Sequence, residues 1–318
     1  MGKYILRRLL ISIPMLLFIT IVVFILANLM PGNAAAIIFA SGDGSITAEA
    51  IAQMEENMGL NDSLIVRYGR WLGRLLRGDL GISMMTYEPV SAMIKLRFGP
   101  TLLLMGTSLI ISIVVGVFLG IVSATKQYSV LDNILTVISF IGRSVPIFFV
   151  GMLLVYFLAL RNPIFPTGGM HKMGKNDFID LIWHLFLPVL SLSVLRIAEF
   201  MRYSRASMLE VLHSDFMWTA RSKGLKERRI IVVHALRNAL IPIITQIGVN
   251  IPVLFCGAIM IEQVFQWPGL GTLFNLAVIQ RDHSLLMGLS LFSSIIVLIS
   301  NLLTDIAYAW ADPRIRYE

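Results

Sequence analysis

Few residues in this chain could do chemistry, and they do not gather into a recognisable catalytic or metal-binding set. Histidines flank one loop at His171 and His184 and lie in another at His213 and His234, without HExxH or another metal-ligand spacing. The single cysteine, Cys256, lies in an apolar run and can form neither an intrachain disulfide nor a cysteine cluster. We interpret these side chains as loop and packing residues and expect no bound metal.

Spacing also argues against a serine nucleophile and a nucleotide site. The serines of the apolar runs are typical of close helix packing, and no GxSxG places one of them on a nucleophile turn: Ser108, Ser112, Ser290 and Ser293. The segment 169–176 has G-x-x-x-x-G-K spacing, but Asn176 stands where a phosphate loop needs a hydroxyl for magnesium. We therefore expect that this chain is not an enzyme, binds no cofactor and does not hydrolyse ATP itself.

The densest charge lies in TARSKGLKERR, residues 219–229, where five of eleven residues are Lys or Arg. The surrounding sequence predicts two short helices separated at Gly224, because glycine readily adopts the positive φ of a helix end. After Gly224, the apolar residues Leu225, Ile231 and Val232 lie among four charged residues, Lys226, Glu227, Arg228 and Arg229. Such an amphipathic helix could enter the groove of a partner protein or lie on anionic lipid, and spacing alone leaves both open.

Composition shows what must position this charged stretch. The 318 residues are 57% hydrophobic and 14% charged, with a mean hydropathy of +0.80, whereas soluble domains are about 25% charged. The chain is therefore predicted to be a membrane protein. Its net charge of +7 is explained by basic residues beside apolar runs, which set membrane topology, rather than by nucleic-acid binding.

Six apolar runs are long enough to span a bilayer, which needs about 20 residues. Because lipid cannot bond to backbone groups, these runs predict an all-α membrane protein with six transmembrane helices. The first run is too long for a signal-peptide core and is expected to remain as a helix. The runs are 9–30, 100–124, 134–160, 181–201, 239–261 and 284–306.

Basic flanks predict the orientation of the spans. Four basic segments fall on one side of a six-span chain, and the positive-inside rule makes that side cytoplasmic, with both termini. They contain Lys3, Arg7 and Arg8; Lys126; Arg202, Arg205, Arg221, Lys223, Lys226, Arg228, Arg229 and Arg237; and Arg314 and Arg316.

This topology divides the chain into three parts. Residues 1–30 are the N-terminus and first span, 31–98 are external, and 99–318 form the membrane core with the cytoplasmic loop 202–237. In the external part, one helix is predicted from Thr47 to Gly59. A second is predicted within SLIVRYGRWLGRLLRG, with one face formed by Leu64, Tyr68, Trp71, Leu72 and Leu75. A helical cap is expected, with a solvated linker as the alternative.

Polar and helix-breaking residues inside the apolar runs are candidates for a translocation pathway. Prolines interrupt the third, fourth and fifth runs and are tolerated where neighbours or water satisfy the freed backbone groups, so they indicate either a pathway lined by these helices or kinks that serve packing alone: Pro146, Pro188, Pro242 and Pro252. Arg143 lies inside the third run, and an intramembrane arginine faces a bundle interior or water, or extends to the headgroups. Arg143, Pro146 and Glu262 are the predicted pathway residues.

Several segments, in order along nearly the whole chain, resemble one family. Thr219, Ala220, Gly224 and Pro242 are similar to the cytoplasmic "EAA" loop of ABC-importer permeases, although Trp218 stands where the general pattern has Glu. The wider sequence resembles permeases of the dipeptide, oligopeptide and nickel importer family. The resembling segments are RRLLISIP, LMPGN, GLNDSLIVRYGRWLGRLLRGDLGIS, DFMWTARSKGL, HALRNALIP, EQVFQWPGLG, RD at 281–282 and DPRIR.

The resemblance implies a permease subunit of a bacterial plasma-membrane importer. Its implied partners are a second homologous permease, two ATPase subunits that carry ATP and magnesium, and an external solute-binding protein. Di- or oligopeptides are the implied substrates, with nickel, glutathione or oligosaccharides as alternatives; an intramembrane enzyme or a channel would be a different class. The resemblance also implies ATPase coupling through Asp215, Ala220, Lys223, Gly224, Leu225 and Arg228.

Overall fold

The computed structural model describes residues 2–29, 62–174 and 177–311, and its regular elements there are all helices. The all-α class is confirmed; within these ranges the only extended pairing is a bridge between Ile82 and Pro89. The helix expected at Thr47–Gly59 lies outside the described residues. The helices are α1 Gly2–Leu29, α2 Leu64–Leu75, α3 Val90–Thr125, α4 Val130–Ser144, α5 Ile147–Val155, α6 Phe178–Leu212, α7 Asp215–Ser222, α8 Glu227–Arg229, α9 Leu236–Val264, α10 Leu270–Ile279 and α11 His283–Ala311. A π-helical turn, Tyr156–Arg161, extends α5, and another, Ile230–Ala235, joins α8 to α9.

Four helices are long and apolar enough to cross a membrane: Leu10–Leu29, Val90–Thr125, Phe178–Leu212 and His283–Ile306. They correspond to the first, second, fourth and sixth predicted spans. Two further spans exist if each of two bent helix pairs counts as one, so the described chain has four to six. The bent pairs are Val130–Ser144 with Ile147–Arg161, at 97°, and Glu227–Leu240 with Pro242–Gly248, at 45°.

The third apolar run is therefore not one straight helix. Val145 has the extended backbone angles φ −88° and ψ 128°, between the end of α4 and Pro146. A residue before proline is pushed out of the helical region by the proline ring, and proline has no N–H to continue the helical hydrogen bonds. The Pro146 carbonyl instead accepts from Phe149 N and Val150 N and begins α5.

The long helices extend past the predicted spans. Helix α6 has 35 residues, which at about 1.5 Å per residue is longer than a hydrocarbon core of about 30 Å. The first part of the predicted cytoplasmic loop, from residue 202 to Leu212, is therefore a continuation of α6. The charged segment therefore begins just beyond the end of a long, regular helix.

The chain divides into two compact units, Met1–Gly99 with Thr272–Leu298, and Pro100–Gly271 with Ile299–Glu318. In the first unit, α2 forms where the sequence predicted a helix, and Trp71 is buried with Phe24, Ala27 and Met287. Leu64, assigned to the same inward face, is instead exposed.

The same unit contains a buried carboxylate that joins distant parts of the chain. Asp282 accepts hydrogen bonds from Ser83 Oγ at 2.5 Å, from Met84 N at 3.0 Å and from Leu285 N at 3.0 Å. Its full burial is tolerated because these donors replace water. Asp282 thereby fixes the segment before α3 to the beginning of α11.

In the second unit, small residues bring α3 and α6 into close contact. A Cβ on Gly116 would lie 2.6 Å from the Phe200 Cβ, and one on Gly120 would lie 2.7 Å from the Met201 carbonyl oxygen. Such approach of two backbones is typical of membrane helix packing. Helix α6 therefore connects the α3 interface to the charged segment beyond Leu212.

Candidate coupling elbow and translocation residues

The charged segment forms two short helices that meet at Gly224, and we call Asp215–Ala235 the elbow. Helix α7 ends at Ser222, and Gly224 has φ +71°, a left-handed conformation that glycine adopts without a steric penalty. Its N–H donates to the Arg221 carbonyl at 2.9 Å. The backbone then turns into α8, so Gly224 sets the angle between the two arms.

One face of the elbow packs against the chain's own helices. Met217, Ala220 and Ile230 are buried in a single cluster with Ala124, Met208, Ala235 and Ala239. Leu225 and Ile231 are partly buried against the same cluster. Ala220 and Leu225 are two of the residues predicted for ATPase coupling. They therefore pack against the chain's own helices and hold the elbow in place.

The opposite face is open and carries both charge and apolar surface. The predicted coupling residues Asp215, Lys223, Gly224 and Arg228 are all exposed. Four apolar side chains of the elbow are exposed, Trp218 by 64%, Val232 by 53%, Val233 by 50% and Phe216 by 45%. In the sequence, Trp218 is notable only as a departure from the EAA pattern, but its exposure makes it the largest apolar contact that the elbow offers.

An ion pair crosses the break between the two arms. Arg221 Nη2 donates to Glu227 Oε1 at 2.9 Å, and solvent reaches both side chains. This bond raises the pKa of Arg221 above its usual value because it stabilises the charged guanidinium. The pair spans Gly224 and restricts the elbow angle, although solvent screening limits its strength.

A cavity of about 740 Å³ separates the elbow from the turn between α3 and α4. Its wall combines Lys126 and Tyr128 of that turn with His213, Trp218 and Arg221. Tyr128 has φ +63°, an uncommon backbone conformation for a residue with a side chain. Trp218 therefore lines this cavity in addition to being one of the exposed apolar residues of the elbow.

The α3–α4 turn is held by a buried carboxylate that the sequence analysis missed. Asp132 is only 2% exposed and accepts two hydrogen bonds from Arg205 of α6, at 2.7 and 2.8 Å. It also accepts from Tyr128 N at 3.0 Å and from the Ser123 hydroxyl. In sequence, Asp132 follows the N-cap Ser129 and is indistinguishable from an ordinary acidic residue in a first helical turn.

Arg143 lies near a second cavity, of about 420 Å³, between α4 and α6. It occupies the residue before the last of α4, directly before the bend, and its side chain is exposed. Arg202 lies over the Phe140 ring at 4.8 Å, and Glu199 accepts from Gln246 Nε2 at 3.0 Å. The cavity is lined by Thr136, Phe140, Arg143, Glu199, Met201, Arg202, Tyr203, Arg205 and Ala206.

The structure separates Glu262 from the Arg143 cavity. Glu262 is fully buried and accepts from Thr101 Oγ1 at 2.6 Å and from Gly271 N at 2.7 Å. Gly269 lies so close that an added Cβ would be 2.1 Å from Glu262 Oε1. Glu262 therefore organises the EQVFQWPGLG segment and lines neither cavity, while Pro146 is exposed at the bend.

Comparison with known proteins identifies the family. The model of the binding-protein-dependent transport system inner membrane component matches residues 116–317, and its N-terminal companion model matches residues 1–105. The chain belongs to this family. The elbow, Arg143 and Glu262 all lie in the first of these matched regions, and α2 lies in the second.

Curated relatives match this permease along its full length. It is 41% identical over 319 residues to the oligopeptide transport system permease protein AppB of Bacillus subtilis, covering 100% of both chains. It is 34% identical over 340 residues to the dipeptide transport system permease protein DppB of Escherichia coli, again covering 100% of both. A putative peptide permease of Brucella suis is 43% identical over 318 residues, covering 99% of each chain.

A solved structure shows the same fold at lower sequence similarity. A chain of the MetNI methionine ABC transporter, solved in inward-facing conformations, superposes with a TM-score of 0.58 at 16% identity. The match covers 70% of this chain and 97% of the MetNI chain. The protein is thus a multi-pass inner-membrane permease subunit of an ABC importer and not an enzyme, and the family implies partner permease and ATPase subunits.

Proposed function

We propose that this permease forms half of the translocation pathway of an ATP-driven importer of di- or oligopeptides. The observation that carries the substrate class is its full-length similarity to permeases named for oligopeptide and dipeptide transport. A second homologous permease completes the pathway, and an external solute-binding protein delivers the peptide. Nickel, glutathione and oligosaccharides remain the alternative substrates.

The elbow is the proposed contact with the ATPase subunits, which bind ATP and magnesium in place of this chain. Its open face offers Trp218, Phe216 and Val232 as apolar anchors, with Lys223 and Arg228 to orient the docked partner. A docked elbow exchanges lipid or water for a protein groove, as an amphipathic helix does in helix-in-groove recognition.

The buried face of the elbow gives it a mechanical role in this proposal. Met217, Ala220 and Ile230 pack in one cluster with Met208 of α6 and Ala239 of α9. Because closely packed interiors transmit displacement, movement of the docked elbow pulls on both helices. ATP binding by the partners would thereby drive a rigid-body change between inward and outward openings.

The cavity beside Arg143 is the proposed passage for anionic substrate groups. Arg143 and Arg202 line it together with the acidic Glu199, whereas Arg205 of the same lining is neutralised by Asp132. The remaining positive charge favours a peptide carboxylate, and a guanidinium can hold it through two parallel hydrogen bonds.

Both termini and the elbow are proposed to lie in the cytoplasm.

Reconstitution tests the proposal directly. The permease, its partner permease and its ATPases would be placed in proteoliposomes, with the cognate binding protein and labelled substrate outside and ATP inside. We expect ATP-dependent accumulation of a di- or tripeptide, and none of nickel, glutathione or an oligosaccharide. Accumulation of one of the other substrates alone would reject the peptide assignment, and passive uptake without ATP would reject the importer mechanism.

A further inference from the structure

One face of helix α2 packs against α1, the first span. The Tyr68 hydroxyl lies 2.9 Å from Thr20 Oγ1, and the Tyr68 and Phe24 rings meet edge to face with centroids 5.4 Å apart. Trp71 is buried against Phe24 and Ala27. These contacts fix α2 beside the last turns of α1.

A second side of α2 carries Arg67, Arg70 and Arg74, and Arg77 follows in the turn after the helix; we call these four residues the arginine stripe. The spacing of Arg67, Arg70 and Arg74 places them on one flank of the helix. The N–H of Arg77 donates to the Arg74 carbonyl at 3.0 Å, which keeps Arg77 close to Arg74. Arg70 bonds to Asp62 at 2.8 Å. Arg74 and Arg77 are exposed, and neither makes an ion pair with a residue in the described ranges.

The other side of α2 is apolar and uncovered. Ile65 is 83% exposed, and Leu76, the residue directly after the end of α2, is 82% exposed. At about 100° per residue, Ile65 and Leu76 lie on the side of the helix roughly opposite the arginine stripe. A short helix with bare aliphatic side chains on one flank and arginines on the other has the pattern of a helix in the membrane interface.

The position of α2 along α1 agrees with that pattern. Phe24, which contacts Tyr68 and Trp71, lies five residues before the end of α1 at Leu29. At about 1.5 Å per residue, this contact is about 8 Å inside the end of the span. Interfacial helices are buried by about 5–10 Å at the boundary between headgroups and acyl chains.

We propose that α2 lies in the membrane interface and that Arg74 and Arg77 bind the phosphates of anionic phospholipid headgroups. Ile65 and Leu76 then face the acyl chains, and the aromatic face holds the helix against α1. Guanidinium groups suit phosphate oxygens because they donate two parallel hydrogen bonds. The binding site is thus a fixed basic edge beside the first span, on whichever side of the membrane that span ends.

Two other occupants could satisfy the arginines but do not explain the aliphatic flank. The acidic residues Asp43, Glu49, Glu55 and Glu56 of this chain, or an acidic surface of another protein, would pair with charge alone. Either would leave Ile65 and Leu76 uncovered in water. The depth of the contact with Phe24 also favours lipid, because it places both flanks at the level where hydrocarbon meets phosphate.

Lipid retention by the complete importer tests this site. The wild-type complex and an Arg74→Gln/Arg77→Gln variant would be reconstituted with 30% phosphatidylglycerol and 70% phosphatidylcholine, extracted, and analysed for bound lipid by native mass spectrometry. A basic residue at a membrane surface strengthens anionic-lipid binding about fivefold. We expect at least about a fivefold loss of retained phosphatidylglycerol, with phosphatidylcholine unchanged.

Two variants serve as controls. Arg74→Lys/Arg77→Lys keeps the charge and should retain most of the phosphatidylglycerol, whereas Arg70→Gln removes an arginine already paired with Asp62 and should lose less than the double variant. Undiminished phosphatidylglycerol in the double Gln variant would overturn the proposal. If that variant instead loses affinity for the purified binding protein, the stripe is a protein-docking surface.

A second measurement tests the apolar flank without relying on charge. A fluorophore on Ile65→Cys, in a Cys256→Ala background, should be quenched by lipids that carry a nitroxide on the acyl chain and protected from aqueous iodide. The same label on Asp62→Cys serves as the aqueous comparison. Strong iodide quenching at Ile65 would place this flank in water and reject the interfacial position.

Discussion

Arg205 and Asp132, which are 73 residues apart, face each other through two parallel hydrogen bonds of 2.7 and 2.8 Å. Asp132 is almost fully buried and Arg205 is about one quarter exposed. Because the pair joins the beginning of α4 to α6, it fixes the α3–α4 turn beside the elbow. A bidentate pair of this kind is stronger and more directional than a single ion contact.

Removing one member of this pair should destabilise the permease. Arg205→Ala leaves the Asp132 carboxylate buried without its cation, and breaking such a pair costs about 3–5 kcal/mol. Thermal unfolding of the purified protein in detergent should show a lower Tm. Adding Asp132→Asn to Arg205→Ala should recover part of the loss, since the buried charge is then absent.

The elbow provides the matched control for that experiment. Arg221→Gln breaks the Arg221–Glu227 pair, whose side chains are 37% and 57% exposed. Exposed pairs contribute only about 0–1 kcal/mol, so this variant should unfold near the wild-type temperature. Equal destabilisation by Arg205→Ala and Arg221→Gln would contradict the distinction between a buried and a solvated pair.

Any side chain at Gly269, which lies beside Glu262, should destabilise the protein. A Cβ at Gly269 would lie 2.1–2.4 Å from the carboxylate atoms of Glu262, so Gly269→Ala must displace the bonds to Thr101 and Gly271. We expect a clear fall in Tm. Gly73→Ala, where no atom lies within 4 Å of the new Cβ, should leave the Tm unchanged or raise it, because alanine favours a helix by about 1 kcal/mol. The opposite order would refute the role of Gly269.

The apolar runs and the hydrophobic periodicity predicted most of the helices but not how sharply a helix bends. The runs ending near Met30 and beginning near His283 became single helices, and α2 formed around the predicted Trp71 face. The run containing Val145 is equally apolar, yet its helix pair bends by 97°. Apolar composition reports which residues avoid water, whereas the size of a bend depends on what packs on each side of it.

The polar sites were less accessible to sequence reasoning. Asp132 and Asp282 each stand at the edge of an apolar run, where an acidic residue is unremarkable. Their structural role comes from partners 73 and 199 residues away, Arg205 and Ser83. Contacts between residues so far apart in the sequence cannot be predicted from local spacing. The elbow could be predicted because its glycine, charges and apolar anchors are adjacent in the chain.

Trp218 should contribute more to ATPase docking than its place in the sequence suggested. Truncating an exposed tryptophan that enters a partner pocket costs about 2 kcal/mol or more, so Trp218→Ala should weaken association with the ATPase subunits roughly thirtyfold. Copurification and titration with purified ATPase measure this. Phe178→Ala, which removes a 74% exposed aromatic side chain at the other end of α6, should have no effect. Unchanged docking in Trp218→Ala would remove it from the interface.

Gly224 offers a separate test of the elbow angle. With φ +71°, it cannot become proline, whose φ is fixed near −65°, without changing the turn between α7 and α8. Gly224→Pro should therefore leave the permease inserted but reduce ATPase docking and abolish uptake. Leu225→Asp should do the same, because Leu225 is partly buried against the elbow cluster. Full uptake by either variant would show that coupling does not depend on this turn.

Site-directed labelling tests the predicted topology. Asp62 and Lys226 are both exposed, so a single cysteine at either position, in a Cys256→Ala background, should react with a maleimide. An impermeant reagent applied to intact cells should label Asp62→Cys only, and permeabilisation should reveal Lys226→Cys. Labelling of both cysteines from the same side would contradict the six-span orientation.

Arg143 should affect the rate at which anionic peptides pass through the importer. It lies at the bend beside a cavity that also contains Arg202 and Glu199, and a charge there costs about 2.5–3.5 kcal/mol on insertion scales unless water or a partner stabilises it. Arg143→Gln should slow uptake of a free peptide. Arg143→Lys should slow it less, because an ammonium keeps the charge but loses the bidentate geometry.

The C-terminal group of the substrate separates this role from a purely structural one. A peptide with an amidated C-terminus carries no terminal carboxylate, so its uptake should change least in Arg143→Gln. Uptake rates of the free and amidated forms, measured in the same proteoliposomes at saturating binding protein, give the ratio directly. A variant that slows both forms equally has disturbed the bend at Pro146. If Arg143→Gln imports both at the wild-type rate, Arg143 is an anchor to the headgroups, and the cavity does not select for carboxylates.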